Sequence, residues 1–311
     1  MSNKYICTTT IYPVDIGSLE QFDNMSGWTL IVAGDLKTPK DFKLKNGIYL
    51  SPEDQVKIDP ILSDVIGWNC IQRRNFAFLM AGKMNCDIGA SIDQDNLPLE
   101  NWGKDIFVGN EVEGSEIKCS SEVFDPLGAT INYSHLWHRG FPLELVSSRH
   151  TNQLRGFGKS KTKIDIQSNF WDGSPDIDAF QRITLNPECR FDPRDFPFWS
   201  DKISPFNSQN TIFTKEVLSK YFMFPFVSRM DDIWNSYYIQ AKYGFKVGYF
   251  EPTVYQERNP QNLIKNLEGE YVGYSHVYNL IKDILIDPER IWKYMPERTK
   301  FAYDLYRKHF E

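Results

Sequence analysis

Short runs of β-branched and aromatic residues, broken by Gly, Pro and Asp, set the pattern of the first third of the chain. Tyr5–Ile11 reads as a strand ending before Pro13, Trp28–Ala33 as a second strand stopped by Gly34–Asp35, and Gly47–Leu50 as a short third. Ser51–Pro52–Glu53–Asp54 has the form of a helix start, with a capping hydroxyl, proline at the first helical position and acids in the first turn. Between Gln72 and Lys83, the apolar surfaces of Phe76, Leu79, Met80 and the Lys83 stem recur at helical spacing. That helix hands over to a strand-like segment at Cys86. Strands separated by helical or loop segments predict an α/β unit with a parallel sheet.

After residue 100 the pattern changes. Asp105–Asn110 and Ile117–Phe124 are expected to be short strands. A long stretch rich in Trp, His, Arg, Gly and Pro, from Leu127 to Ser208, reads as irregular chain packed over a site. Thr211–Thr214 is expected to re-enter the sheet. Asp231–Tyr243 is expected to be a helix packed through Ile233, Trp234, Tyr237, Tyr238 and Ala241, followed by a strand at Phe245–Tyr249. Gly273–Ile286 and Glu297–His309 read as helices.

Composition narrows the function classes. A chain of 311 residues with 41% apolar residues can bury a substantial core, and a formal charge of −6 argues against a broad nucleic-acid surface. Five cysteines without Cys-x-x-Cys spacing argue against a disulfide scaffold or zinc module and favour a reducing compartment. With no apolar signal core and no stretch long enough to span a bilayer, the expectation is a cytoplasmic protein, with peripheral membrane association left open.

The sharpest chemical signal is Cys86–Asn96, where a strand-like run leads into Asp93–Gln94–Asp95. Two hard oxygen donors at the carboxyl end of a strand suit Mg²⁺ or Mn²⁺, with substrate phosphates completing the shell. A surface turn also collects aspartates, so the pair alone does not decide. Asp231 and Asp232 read either as a helix start or as a general base with a neighbour that orients base or acceptor. Arg73 and Arg74 read either as structural or solvated side chains or as groups that bind diphosphate or hold the strand-end acids. Asp35 can accept from a base or ribose, and Lys37 can meet phosphate. His135, His138, Asp125 and His150 lack an evident closed zinc set. No Gly-x-Gly-x-x-Gly, P-loop or Gly-x-Ser-x-Gly sequence occurs.

Three islands, Arg73–Leu79, Ile92–Asn96 and Arg229–Trp234, resemble the glycosyltransferase-like family that includes plant STELLO proteins and, more distantly, the reversibly glycosylated polypeptides, which are UDP-arabinopyranose mutases. Tyr255–Tyr271, with Arg258–Asn259–Pro260, resembles the terminal motif of the mutases, and Gly140–Phe141–Pro142 resembles their Gly-Tyr-Pro segment. Val146 stands where they carry a sugar-linked arginine, and Gln94 where they carry another aspartate, which favours transfer to an external acceptor.

The resemblance implies an α/β GT-A fold with a Rossmann-like nucleotide-binding half and a mixed central sheet. Residues 1–275 form one catalytic domain, with a nucleotide-binding half to residue 100 and an acceptor-binding half beyond it. Residues 276–311 are a helical extension. The implied activity is metal-dependent transfer of a sugar from a nucleotide diphosphate donor, UDP-linked in the first instance, to a glycan hydroxyl with inversion. Alternatives are a nucleotide-sugar mutase or a non-catalytic nucleotide-sugar-binding protein. Asp231 and Asp232 are the expected catalytic residues, and Asp93 and Asp95 the metal ligands for Mn²⁺ or Mg²⁺. Thr9, Asp35, Lys37, Arg73, Arg74, Asn75, Asp93 and Gln94 are expected to contact the nucleotide sugar. His138, Arg139, Trp234 and Asn259 are expected to face the acceptor. A homo-oligomer is compatible with the aromatic-rich composition.

Overall fold

A computed structural model describes residues 2–10, 16–155, 158–258 and 260–311. Among these, β1 (Lys4–Thr9), β2 (Thr29–Ala33), β3 (Ile48–Leu50) and β4 (Ile88–Ile92) form the parallel sheet that the sequence predicts. They pair in parallel in the order β3-β2-β1-β4. Their side chains are almost all buried, as expected for strands covered on both faces. Helices α1 (Ile16–Asp23), α2 (Pro52–Ile58), α3 (Pro60–Ile66) and α4 (Arg74–Lys83) lie between these strands along the chain. The start of α2 is a capping box: Asp54 N–H donates to Ser51 Oγ at 3.1 Å, and Ser51 N–H to the Asp54 carboxylate at 3.2 Å. A single 3₁₀ turn (Ile71–Arg73) leads into α4. The chain leaves β1 toward β2 and β3 and returns on its other side at β4, so a topological switch point opens at the carboxyl ends of β1 and β4.

The sheet continues beyond β4 and becomes mixed. Along the chain follow β5 (Asn96–Pro98), β6 (Glu111–Cys119), α5 (Arg149–Asn152), β7 (Gln153–Arg155), β8 (Ser160–Lys163), β9 (Ile166–Gly173), α6 (Ala179–Thr184), β10 (Phe198–Ser200), β11 (Asn210–Thr214) and α7 (Lys215–Leu218). Then come α8 (Asp231–Tyr243), β12 (Val247–Gln256), α9 (Leu263–Ile286) and α10 (Glu297–Lys308). The described strands join in the order β3-β2-β1-β4-β11-β9-β12-β10-β6-β7, with β5 on β12 and β8 on β6. The result is an α/β fold around a mixed sheet of 12 strands.

Two sequence expectations need correction. Asp105–Asn110 is turn rather than strand, because Gly109 bends the chain at φ +81° and Phe107 N–H is taken by the Gln167 side chain. The strand beside it is Glu111–Cys119, so Ile117–Phe124 overlaps only its end. Leu127–Ser208 is irregular over most of its length, yet it also holds β7, β8, β9 and β10, which the pattern does not reveal. The central strand β9 escaped notice because its Gln167, Ser168 and Asn169 look loop-like. All three are buried, and Gln167 and Asn169 are satisfied by Asp105 O, by each other and by Thr253.

The packed side of α8 is as expected: Ile233, Trp234, Tyr237 and Tyr238 are fully buried. Gly140 approaches this helix at φ +78°, and an added Cβ would lie 2.3 Å from Ile233 Cγ2. G140A should therefore destabilise the fold by about 2–3 kcal/mol, read from the urea midpoint, because it combines overpacking with a backbone angle that alanine disfavours. The helix α9 runs without a break through residues 275 and 276, where a boundary was expected. Among the described residues, no helix is long and apolar enough to cross a membrane.

Candidate active site

The switch point opens into a cleft of about 990 Å³. Its lining includes Thr9, Arg74, Asp93, Gln94, Asp95, Arg139, Asp231 and Asp232 from the expected set. Asp93 after β4 and Asp231 at the start of α8, more than 130 positions apart in sequence, thus line one cleft.

Asp93 lies just past β4, in a turn rather than on an extended strand. Its N–H donates to Asn96 Oδ1 at 2.8 Å and to Gln209 O at 3.2 Å, while the Asn96 N–H returns to Asp93 O at 3.1 Å. The Asn96 side-chain amide donates to Gln256 Oε1, anchoring the turn to β12. The arrangement closes Asp93–Gln94–Asp95 into a fixed hairpin-like corner. Arg74, itself buried, holds Asp93 Oδ1 at 2.5 Å and spans to Ser91 and Ser208.

Burial and then the like charge of Asp93 raise the Asp95 pKa, only partly offset by Gln256 and Arg258. A cation would relieve that repulsion. Among the described residues, Gln94 Oε1 is buried without a hydrogen-bond partner, adding a third hard oxygen at the same corner. The donor chemistry therefore fits Mg²⁺ or Mn²⁺. Among the described residues, no group of three or more His, Cys, Asp or Glu side chains forms a metal site, so His135, His138, Asp125 and His150 make no zinc set. A cation at Asp93–Asp95 would need further oxygens from a ligand or water.

The late acid pair divides into two different environments. Asp232 accepts from Arg139 Nη2 at 3.1 Å and from the Ser208 N–H at 3.0 Å. Arg139 in turn makes a two-pronged contact with Asp176, at 2.9 and 3.0 Å, and also donates to Arg229 O. Burial opposes ionisation of Asp176, but Arg139 and its neighbours outweigh it and hold this carboxyl far below the usual range. Asp231 has no such guanidinium partner; its Oδ2 accepts from Gln72 Nε2 at 2.8 Å. Burial first, and the adjacent Asp232 second, push the Asp231 pKa up to about 7. The free N–H groups at a helix start favour the carboxylate by only about 0.3–1 kcal/mol, less than one pKa unit, so burial wins. Two non-glycine residues just upstream, Phe226 at φ +69° and Ser228 at φ +51°, turn the chain into α8 through the left-handed region.

Other expected residues lie elsewhere. Arg73 is fully buried behind the cleft, bonded to Gln55, Ser63 and Gly67 and stacked 3.7 Å from the Trp68 ring centroid. It ties α2 and α3 to α4 and is not part of the cleft lining. Asn75 exchanges hydrogen bonds with the Met223 backbone, both at 2.9 Å. The Asp35 carboxylate is satisfied by the N–H groups of Leu36, Asn69 and Cys70, and Lys37 is exposed away from the cleft lining. Trp234 is core, and the buried His138 ring bonds Arg139 O at 2.8 Å from behind. Asn259 lies outside the described residues. Thr9 reaches the cleft while its hydroxyl donates to Ala33 O at 2.7 Å.

Several residues in or beside the cleft had no signal of their own in the sequence. Asp176, Gln72, Ser208 and Gln256 are ordinary polar residues until folding places them beside Arg139, Asp231, Asp232 and Asp95. A buried amide directed at a carboxylate leaves no local motif.

No family model matches the chain. It is similar to two curated Arabidopsis thaliana proteins named probable glycosyltransferase STELLO2 and STELLO1. Identity is 25% over 276 residues and 26% over 275, each covering 81% of this chain. The chain spans 35% of the length of these relatives. Among solved structures, it is similar to glucosyl-3-phosphoglycerate synthase from Mycobacterium tuberculosis at TM-score 0.39 and 10% identity. The match covers 92% of this chain and 80% of the other, for the complex with phosphoglyceric acid. A second structure of the same synthase, with Mn²⁺, UDP-glucose and phosphoglyceric acid, matches at the same TM-score and identity over 79% of its length. The STELLO resemblance seen in three short islands is thus a sequence relationship extending over four-fifths of the chain.

Proposed function

We propose that this chain is a metal-dependent glycosyltransferase of GT-A type. It moves a sugar from a nucleotide diphosphate, a UDP-sugar in the first instance, to a carbohydrate hydroxyl with inversion. The observation that carries this reading is the convergence in one cleft of the strand-end pair Asp93–Asp95 and of Asp231, a carboxyl that burial and Asp232 push up to about 7. Asp93 and Asp95 would hold Mn²⁺ or Mg²⁺, which when bound supplies positive charge toward a departing diphosphate.

The chain's own residues account for the acceptor side. The acceptor oxygen forms a bond to the sugar anomeric carbon as the bond from that carbon to the phosphate oxygen breaks, and the electron pair leaves with the diphosphate. The hydroxyl proton passes to the Asp231 carboxylate. A base with a pKa close to working pH combines availability with proton affinity. Asp232 is engaged by Arg139 and Ser208, so its role is to fix the start of α8 and set the pKa of its neighbour.

Incubation of the purified chain with a UDP-sugar panel, Mn²⁺ and glycan acceptors, followed by mass spectrometry, tests the reading. Rearranged donor in the absence of acceptor would instead identify a mutase. D95N should fold as wild type but lose metal-dependent turnover by about 10²-fold or more, comparable with loss of a strong transition-state contact. Equal turnover by the two proteins would remove Asp95 from the metal site.

A further inference from the structure

Four arginines line the cleft: Arg74, Arg139, Arg229 and Arg258. Three are committed to protein carboxylates. Arg74 holds Asp93 at 2.5 Å, Arg139 holds Asp176 and Asp232, and Arg229 Nε donates to Glu270 at 2.9 Å. Arg258 differs. Among the described residues, its Nε, like that of Arg74, is buried without an acceptor, but unlike the other three its ion pair, with Asp176 Oδ1, is loose, at 3.7 Å. Asp176 is already occupied by both prongs of Arg139 and by Asn207 Nδ2 at 2.9 Å. A guanidinium has five N–H donors, and leaving one buried and unsatisfied is costly unless a ligand takes it.

Position narrows the class of ligand. Arg258 follows β12 by two residues, and Gln256 at the end of that strand bonds Asp95. Arg258 and Asp95 are near enough to influence each other electrostatically. Arg229 and Arg182 are also near enough to repel Arg258. A guanidinium so loosely paired, near an acid corner suited to a divalent cation and two more arginines, suits a multiply charged anion with oxygens spaced to match the guanidinium fork. Phosphate meets that description.

We propose that Arg258 is a ligand of the donor diphosphate, placing its N–H groups on the phosphate oxygens that gain charge as the sugar departs. This role, assigned from sequence to Arg73 or Arg74, falls to Arg258 because Arg73 is sealed behind the cleft and Arg74 is spent on Asp93 and Ser208. The assignment rests on the nucleotide-sugar reading above.

Calorimetric titration of wild type, R258M and R258K with UDP and with uridine, both in Mn²⁺, separates phosphate recognition from nucleoside recognition. GDP and guanosine replace them if wild type prefers that base. R258M is expected to weaken UDP binding by about 10- to 100-fold while uridine binding stays within twofold. R258K, which keeps the charge but not the fork, is expected to fall between. Thermal melts confirm that each variant is folded, and R258K carries the test if R258M is not. Unchanged UDP binding overturns the assignment, as does an equal loss for uridine. Unchanged UDP binding with a raised KM for the acceptor overturns it in favour of an anionic acceptor. A wild type that binds no nucleotide diphosphate sinks the functional reading together with this inference, whereas normal wild-type binding with an unaffected variant sinks only the inference.

Discussion

D231N is expected to lower sugar transfer by about 10²- to 10⁴-fold while nucleotide affinity stays near that of wild type, the range spanned by loss of a general base. The wild-type rate should rise with pH through an apparent pKa of about 7, because only the ionised Asp231 accepts the acceptor proton. Stability should move in the opposite direction. Burial and Asp232 raise the Asp231 pKa from 3.8 to about 7, so the folded protein holds this proton more tightly than the unfolded chain. Protonation thus supports the fold fully below pH 3.8, and that support is lost as pH rises through about 7. Asparagine mimics the protonated form. The variant should therefore be more stable than wild type at pH 8 by about 2–4 kcal/mol, at roughly 1.4 kcal/mol per pKa unit, and the gap should close toward pH 4. Melting curves and initial rates over pH 4–9 read both effects. A variant that keeps wild-type turnover, or whose stability difference does not change with pH, would contradict the assignment.

The largest effect on stability is expected at Arg139. This guanidinium is buried between Asp176 and Asp232, and R139M would strip Asp232 of its ion pair and leave Asp176 only the loose contact with Arg258. Breaking a buried pair by removing one partner costs about 3–5 kcal/mol, and here the arginine serves two. The double variant R139M/D176N should recover part of the loss, since it removes one of the stranded charges. Urea unfolding at pH 7.5 gives the comparison. A loss below 1 kcal/mol for R139M would show that water or a local shift solvates the carboxylates, and that Arg139 does not organise the start of α8.

Both expectations concern charges that the one-dimensional pattern could name but not connect. Hydrophobic patterning determined much of the architecture. The strands at Tyr5, Trp28 and Gly47, the Ser51 helix start and the Asp231–Tyr243 helix follow from local rules of branching, capping and period. Patterning failed at β9, whose buried Gln167 and Asn169 mimic loop chemistry because their hydrogen-bond partners arrive from distant segments. It also failed at Asp105–Asn110, where Gly109 turns an apolar run out of the strand direction.

The acid pairs at 93/95 and 231/232 were visible as residues, and the switch point followed from strand order. Their meeting in one cleft was decided by the antiparallel pairing of β11 with β4 and by the Arg74–Ser208–Asp232 chain of hydrogen bonds. Tertiary structure alone distinguished Asp231 from Asp232 and Arg258 from Arg73. In each pair the residue type is the same, and the environment separates them: a carboxylate held by arginine stays anchored, while its neighbour in the same buried space keeps a proton to exchange. Sequence lists ionisable groups; desolvation and the distance to the next charge decide what each one does.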